Sequence, residues 1–230
     1  MQFFIVVLLI SFVFFLFSLY SLIKDDVSFI RAGVGPERVF NITFIVALAA
    51  LFFARLFYII FYQKIWLLNP FLFIVFPYFP GLSLTGGVLG GALSLAFLSG
   101  LKKIPFNRIF DIFSVSFLFS MPVGLLGFFL LSGKKLLSLE FGVTLAVYIF
   151  LLIFFIRFLT VFSERGRIKP GGMGYIFIML FSIWSIAHNI LFSNKILHLE
   201  NLILGISFIV SLIIFFGPQA IHSSTRLRRK

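Results

Sequence analysis

The chain has 230 residues, 61% of them hydrophobic and only 11% charged, with 37 phenylalanines; a soluble domain carries about 25% charged and about 45–50% apolar residues, so this chain lacks the polar surface to face water and is solvated mostly by lipid. Without cysteine there is no disulfide, thiolate nucleophile or thiolate metal site. The formal charge of +12 sits in short stretches between apolar runs, which argues against a nucleic-acid partner and for membrane topology and anionic head groups.

A spanning helix needs about 20 apolar residues. The first candidate covers residues 3–23; it has no basic flank before it and no small-x-small site after it, so it reads as a retained transmembrane helix rather than a signal peptide. The second, 40–62, holds Arg55 inside an apolar run, with Tyr58 and Tyr62 on the same helical stripe. An arginine at such depth faces protein, water or an anionic group, or else snorkels to the interface. Residues 69–81, "NPFLFIVFPYFPG", contain three prolines and are rich in aromatics, which predicts an interfacial or re-entrant segment rather than a span.

The third span, 82–101, opens with "GLSLTGGVLGG". On a helix Gly86 and Gly90 share a face, as do Gly87 and Gly91. Such small-xxx-small pairs let backbones approach closely, while glycine N–H groups at a helix start also suit a phosphate. With Thr85 and Arg55 nearby, the second reading makes a glycine-floored hollow for a lipid headgroup. The absence of a P-loop lysine removes the nucleotide alternative. The fourth span, 109–131, begins beside Arg108 and Asp111, which read as a local ion pair.

The fifth span, 141–162, follows Ser138 and Glu140, a candidate N-terminal cap. "KPGGMG" (169–174) reads as a turn into the sixth span, 173–192, where His188 and Asn189 lie among apolar residues, the histidine a packed rather than a catalytic group. The seventh, 202–216, leads to a basic tail at about 218–230. His198 and His222 read as loop and tail residues. Neither a metal-ligand spacing nor a paired-carboxylate or Ser-His-Asp set appears, and the sequence implies no cofactor.

Fourteen basic residues fall on alternate connections: Lys24, Arg31, Arg38, Lys102, Lys103, Arg108, Arg157, Arg165, Arg167, Lys169, Arg226, Arg228, Arg229 and Lys230. Four, Lys64, Lys134, Lys135 and Lys195, fall on the other side. The asymmetry predicts an N-terminus outside and a cytoplasmic C-terminus. The expected fold class is therefore all-α, a single polytopic membrane domain over 1–230 with about seven transmembrane helices.

The order of "ARLFYIIFY" (54–62), "NP" (69–70), "GLSLTGGVLGG" (81–91), "KKIPFNRIFD" (102–111), "GLLGFF" (124–129) and "KPGGMGYIFIMLFSIWSIAHNILF" (169–192) resembles bacterial prolipoprotein diacylglyceryl transferase. The resemblance runs over roughly 40–216 and is strongest from 54 to 111. It implies an inner-membrane enzyme that moves the diacylglyceryl group of phosphatidylglycerol onto the lipobox cysteine of a prolipoprotein signal peptide. By the same resemblance, the family's histidine before the glycines falls at Thr85. Its phosphate-binding arginine falls at Leu125 and its asparagine at Phe128. A tyrosine, glycine, arginine and glutamate of the sixth span fall at Phe181, Ser182, Ser185 and Asn189. These replacements remove a base and two cations, so the expected protein is a degenerate or inactive relative. Its candidate lipid-binding residues are Arg55, Tyr58, Thr85, Gly86, Gly87, Gly90 and Gly91, for a phosphatidylglycerol-like phospholipid. A non-catalytic lipid-binding or scaffold subunit is the alternative. A small transporter comes last, because such proteins place ionisable groups at the midplane.

Overall fold

The computed structural model describes residues 2–24, 26–62, 81–131, 138–164, 168–193 and 198–227, with backbone alone for 2–5, 128, 130, 131, 163, 164 and 218–227. Most of the described residues are helical, and among them no strand forms. The elements are α1 (Gln2–Ile23), α2 (Val27–Arg31), α3 (Pro36–Tyr62), α4 (Leu84–Leu101), α5 (Phe106–Leu131), α6 (Leu139–Phe154), a π-helical turn (Phe155–Leu159), α7 (Thr160–Glu164), α8 (Gly172–Ser193) and α9 (Leu199–Leu227). Seven helices are long and apolar enough to cross a bilayer, with α6, the π turn and the start of α7 forming one continuous span. The seven expected spans are all present, each beginning and ending within a few residues of its apolar run except where α9 carries on to Leu227. The predicted interfacial segment lies outside the described residues apart from Gly81, as do the last three residues of the tail.

Burial ranks the helices. In α5, 61% of the spanning window is buried inside the protein, against 17% in α1 and α9, so α5 is the axis of the bundle. Helices α1, α6, α8 and α4 pack around it, α3 lies along α4, and α9 lies along α8. The outer helices turn Leu48, Phe97, Phe150, Leu191 and Ile213 outward, as lipid solvation requires.

In lipid, apolar burial gives no driving force between helices, so close backbone approach must supply the contact. The glycines do this along two seams in particular. A Cβ at Gly127 would sit 2.4 Å from Val7 Cγ1, and one at Gly124 would sit 3.3 Å from Ser11 Oγ, so "GLLGFF" is the seam between α5 and α1. Ser11 Oγ closes that seam by donating to the Ser120 carbonyl at 3.1 Å. On α4, a Cβ at Gly86 would meet Phe57 Cβ at 2.5 Å and the Phe53 carbonyl at 2.6 Å, and one at Gly90 would meet Phe53 Cβ at 2.2 Å. Gly87 and Gly91 face Ala54 and Ala50 at contact distance. The glycine face is thus filled by Phe53 and Phe57 of α3. The expected hollow above these glycines is not there, because two phenylalanines occupy it.

At one end of the bundle the polar contacts also differ from expectation. Arg108 has a partner beyond its own helix. Its Nε donates to Asp26 Oδ2 at 2.7 Å, and Asp26 in turn caps α2 by accepting from Ser28 N at 2.8 Å. Asp111, fully buried, accepts from the backbone N–H of Gly171 at 2.7 Å and of Gly174 at 2.8 Å. The carboxylate supplies the acceptors that the first turn of α8 lacks internally. The "KPGGMG" glycines make this possible: Gly171 has φ +92, and a Cβ at Gly174 would lie 2.2 Å from Phe110 Cδ1.

Candidate functional site

The other end of the bundle gathers the C-terminal turns of α3 and α8 and the N-terminal turns of α4 and α9. There the sequence-predicted residues divide into two groups. Arg55, Tyr58 and Thr85 belong to a buried polar cluster. Gly86, Gly87, Gly90 and Gly91 form its helix-packing floor.

Arg55 is 3% exposed. It does not snorkel: its guanidinium Nη1 donates to the Gly81 carbonyl at 3.0 Å, and Cζ lies 5.8 Å from the centre of the Tyr58 ring. A buried arginine needs such partners, since an uncompensated charge costs several kcal/mol. The chain after Gly81 is pinned to the same turn of α3, because Ser83 N–H donates to the Ala54 carbonyl at 2.9 Å. Ser83 then caps α4, its Oγ accepting from Gly86 N at 3.2 Å, while Gly87 N–H donates to the Ser83 carbonyl. The N–H groups of both glycines are therefore engaged within the turn.

Thr85 Oγ1 donates to Glu200 Oε1 at 2.7 Å, and Tyr62 OH donates to Glu200 Oε2 at 2.7 Å. One carboxylate thus links α4, α3 and the first turn of α9. Glu200 is 7% exposed. Its own N–H donates to His198 Nδ1 at 3.4 Å, and the His198 ring lies against Tyr62 with centroids 5.4 Å apart. The Tyr58 and Tyr62 rings are 5.2 Å apart. Arg55, Tyr58, Tyr62 and Glu200 therefore run in that order, a cation and an anion at the two ends of an aromatic ladder.

Glu200 is the functional candidate that sequence reasoning missed. An acid in the first turn of a helix is favoured by the helix dipole, so the sequence signal is indistinguishable from ordinary capping. Nothing in its spacing announces a partner 115 positions away. Two further contacts lie alongside. Asn189 Nδ2 donates to Asn201 Oδ1 at 2.8 Å, joining α8 to α9. His188 Nε2 lies 3.5 Å from Glu140 Oε1, joining α8 to α6, and its ring packs near Trp184 and Phe192. Ser138 caps α6 as expected, accepting from Phe141 N at 3.3 Å.

The positions that the resemblance assigns to charged or polar family residues are now occupied otherwise. Leu125 is buried in the apolar core at 7% exposure, Phe181 at 1%. Ser182 is fully buried and Asn189 is taken up by Asn201. No group of three or more His, Cys, Asp or Glu side chains fit to hold a metal occurs among the described residues.

Fold and site define a multi-pass helical membrane protein with a buried polar cluster, among the described residues, where α3, α4 and α9 meet. Residues 1–134 match the family model for prolipoprotein diacylglyceryl transferase, more than half of the chain, and the chain belongs to that family. The family is one of transferases that use a phospholipid donor and prolipoprotein acceptors. The match covers α1 to α5, with Arg55, Thr85, the glycines and Leu125; Glu200 lies beyond it. No curated protein and no solved structure matches the chain.

Proposed function

We propose that this chain is a catalytically silent member of its family that holds the phosphate of a phospholipid headgroup at Arg55, with Tyr58 and Thr85 beside it. The observation that carries the reading is Arg55 itself: a cation held inside the bundle at the end where α3 and α4 meet, rather than extended to the lipid surface. The planar guanidinium presents donors in the fork that phosphate oxygens match. Gly86, Gly87, Gly90 and Gly91 serve the site by holding α4 against α3.

Silence is supported by the residues at the family's chemical positions. Diacylglyceryl transfer builds negative charge on a departing phosphate, and preorganised cations lower that barrier by several kcal/mol. A leucine at 125 and a serine at 185 supply none. The Thr85 hydroxyl donates to Glu200 and does not stand in for an imidazole base. The basic residues of alternate connections support an orientation with this cluster toward the outer leaflet of a bacterial inner membrane and the tail in the cytoplasm.

Purified protein incubated with phosphatidylglycerol and a lipobox peptide is expected to yield no diacylated thioether, and to lose its co-purifying phospholipid on Arg55→Ala. Thioether formation would overturn the silent reading. Unchanged phospholipid content in Arg55→Ala would overturn the binding site.

A further inference from the structure

We infer that the headgroup taken by this site carries a primary ammonium, so that the preferred lipid is zwitterionic phosphatidylethanolamine rather than anionic phosphatidylglycerol. This inference rests on the phosphate reading of Arg55 given above and adds a second pole to it.

The carboxylate of Glu200 is the basis. Each of its oxygens accepts one hydroxyl hydrogen bond, from Thr85 and from Tyr62. A carboxylate has about four acceptor positions, so two hydroxyls leave it with capacity for further donors. Among the described residues no lysine or arginine pairs with it; the nearest basic group is the His198 Nδ1 at 4.0 Å, and that nitrogen already accepts from the Glu200 N–H. A buried carboxylate is strongly stabilised by a cation with N–H donors. Among the described residues none does so here, and an alkylammonium would supply both charge and donors.

The rest of the ladder fits the same ligand. Arg55 and Glu200 give the cluster one charge of each sign, which matches a phosphate and an ammonium on one headgroup and opposes a net anion. Between them Tyr58 and Tyr62 present ring faces that suit a cation passing over them. The charged ends are buried, while Tyr62 is 39% exposed, so the aromatic middle gives access to the cluster. Leu125 and Ser185, where the resemblance places family cations, act in the same direction, because cations there would favour an anionic lipid.

The test uses full-length protein in nanodiscs holding equal amounts of phosphatidylethanolamine, phosphatidylglycerol and phosphatidylcholine with identical acyl chains, followed by native mass spectrometry of the lipids retained after release. One charge-assisted hydrogen bond predicts retention of phosphatidylethanolamine about tenfold over either competitor. Glu200→Gln removes the charge but keeps an acceptor; it is expected to equalise phosphatidylethanolamine and phosphatidylglycerol, whereas Arg55→Ala is expected to release both. If the wild type retains phosphatidylglycerol as well as phosphatidylethanolamine, the ammonium assignment is overturned while the Arg55 reading stands. Retention of no lipid at all overturns both. A Glu200→Gln protein that still prefers phosphatidylethanolamine overturns the role of Glu200. Should that variant not fold, the wild type decides alone: phosphatidylcholine has the same charge but no N–H donor, and equal retention of the two zwitterions defeats the inference.

Discussion

Alanine substitution along the glycine stripe of α4 separates close helix packing from simple helix composition. At Gly86 the new Cβ would lie 2.5 Å from Phe57 Cβ and 2.6 Å from the Phe53 carbonyl oxygen, and at Gly90 it would lie 2.2 Å from Phe53 Cβ. These neighbours are backbone or the first atom of a side chain, so no rotamer change clears them and the helices must part. Overpacking of this kind costs about 1–3 kcal/mol, and parting the helices also lengthens the Thr85–Glu200 bond. At Gly87 and Gly91 the nearest atoms are Ala54 Cβ at 3.5 Å and Ala50 Cβ at 3.4 Å, which is ordinary contact. There alanine gains about 1 kcal/mol of helix propensity. With about 2–4 °C of midpoint per kcal/mol for a chain of this size, Gly86→Ala and Gly90→Ala should unfold several degrees below wild type in a thermal-shift assay in one detergent. Gly91→Ala should unfold at or slightly above it. Gly142→Ala, with nothing within 4 Å, serves as a control in another helix. If all four alanines behave alike, the stripe is not a packing surface and the account of the α3–α4 seam is wrong.

Asp111→Ala leaves two buried N–H groups at the start of α8 without an acceptor, at about 1–3 kcal/mol each; Asp111→Asn keeps an acceptor and should recover part of the loss in the same thermal assay. Arg108→Ala takes the cation from the Asp26 carboxylate, whose side chain is 3% exposed, and should cost about 1–3 kcal/mol; an Asp26→Asn background should remove most of that loss, and an undiminished loss there would mean that Arg108 acts through another partner. Thr85→Val keeps the shape and removes one donor to Glu200, and should lower stability by about 1–3 kcal/mol in the wild type but far less in a Glu200→Leu background, a double-mutant cycle that reports the coupling directly. Leu125→Arg places a charge in the apolar core and should reduce the folded yield in membranes without restoring transfer to a lipobox peptide.

The spans were legible because a membrane makes one demand, about 20 apolar residues, and the chain meets it seven times. The close contacts were half legible: the spacing of Gly86 and Gly90 announced that something approaches, but not that Phe53 and Phe57 do. Side-chain pairing was the least legible. Arg108 and Asp111 stand three apart on one helix, where neighbours are expected to pair. Yet Arg108 reaches Asp26, 82 positions earlier, and Asp111 turns to backbone N–H groups of α8. His188 looked solitary and faces Glu140. These partners come from helices that the fold brings together, and no local period encodes them.

Two of the closest helix seams of the fold lie within the residues that match the family. The Gly124 and Gly127 seam binds α1 to α5, the Gly86 and Gly90 stripe binds α4 to α3, and both fall inside the matched residues. Neither depends on charge, because van der Waals contact between close backbones is what holds helices together in lipid. Leu125, between Gly124 and Gly127 in the chain, is buried in the apolar core and carries no charge that either seam needs. Arg55 is different. It is tied to Gly81 at the turn where the chain enters α4, so removing it disturbs the α3–α4 hairpin as well as any ligand. Lipid content is therefore to be measured together with stability. A variant such as Arg55→Lys, which keeps the charge but not the planar fork, should hold the fold near wild type and still lose most of the lipid. Equal loss of both would reduce Arg55 to a helix tether.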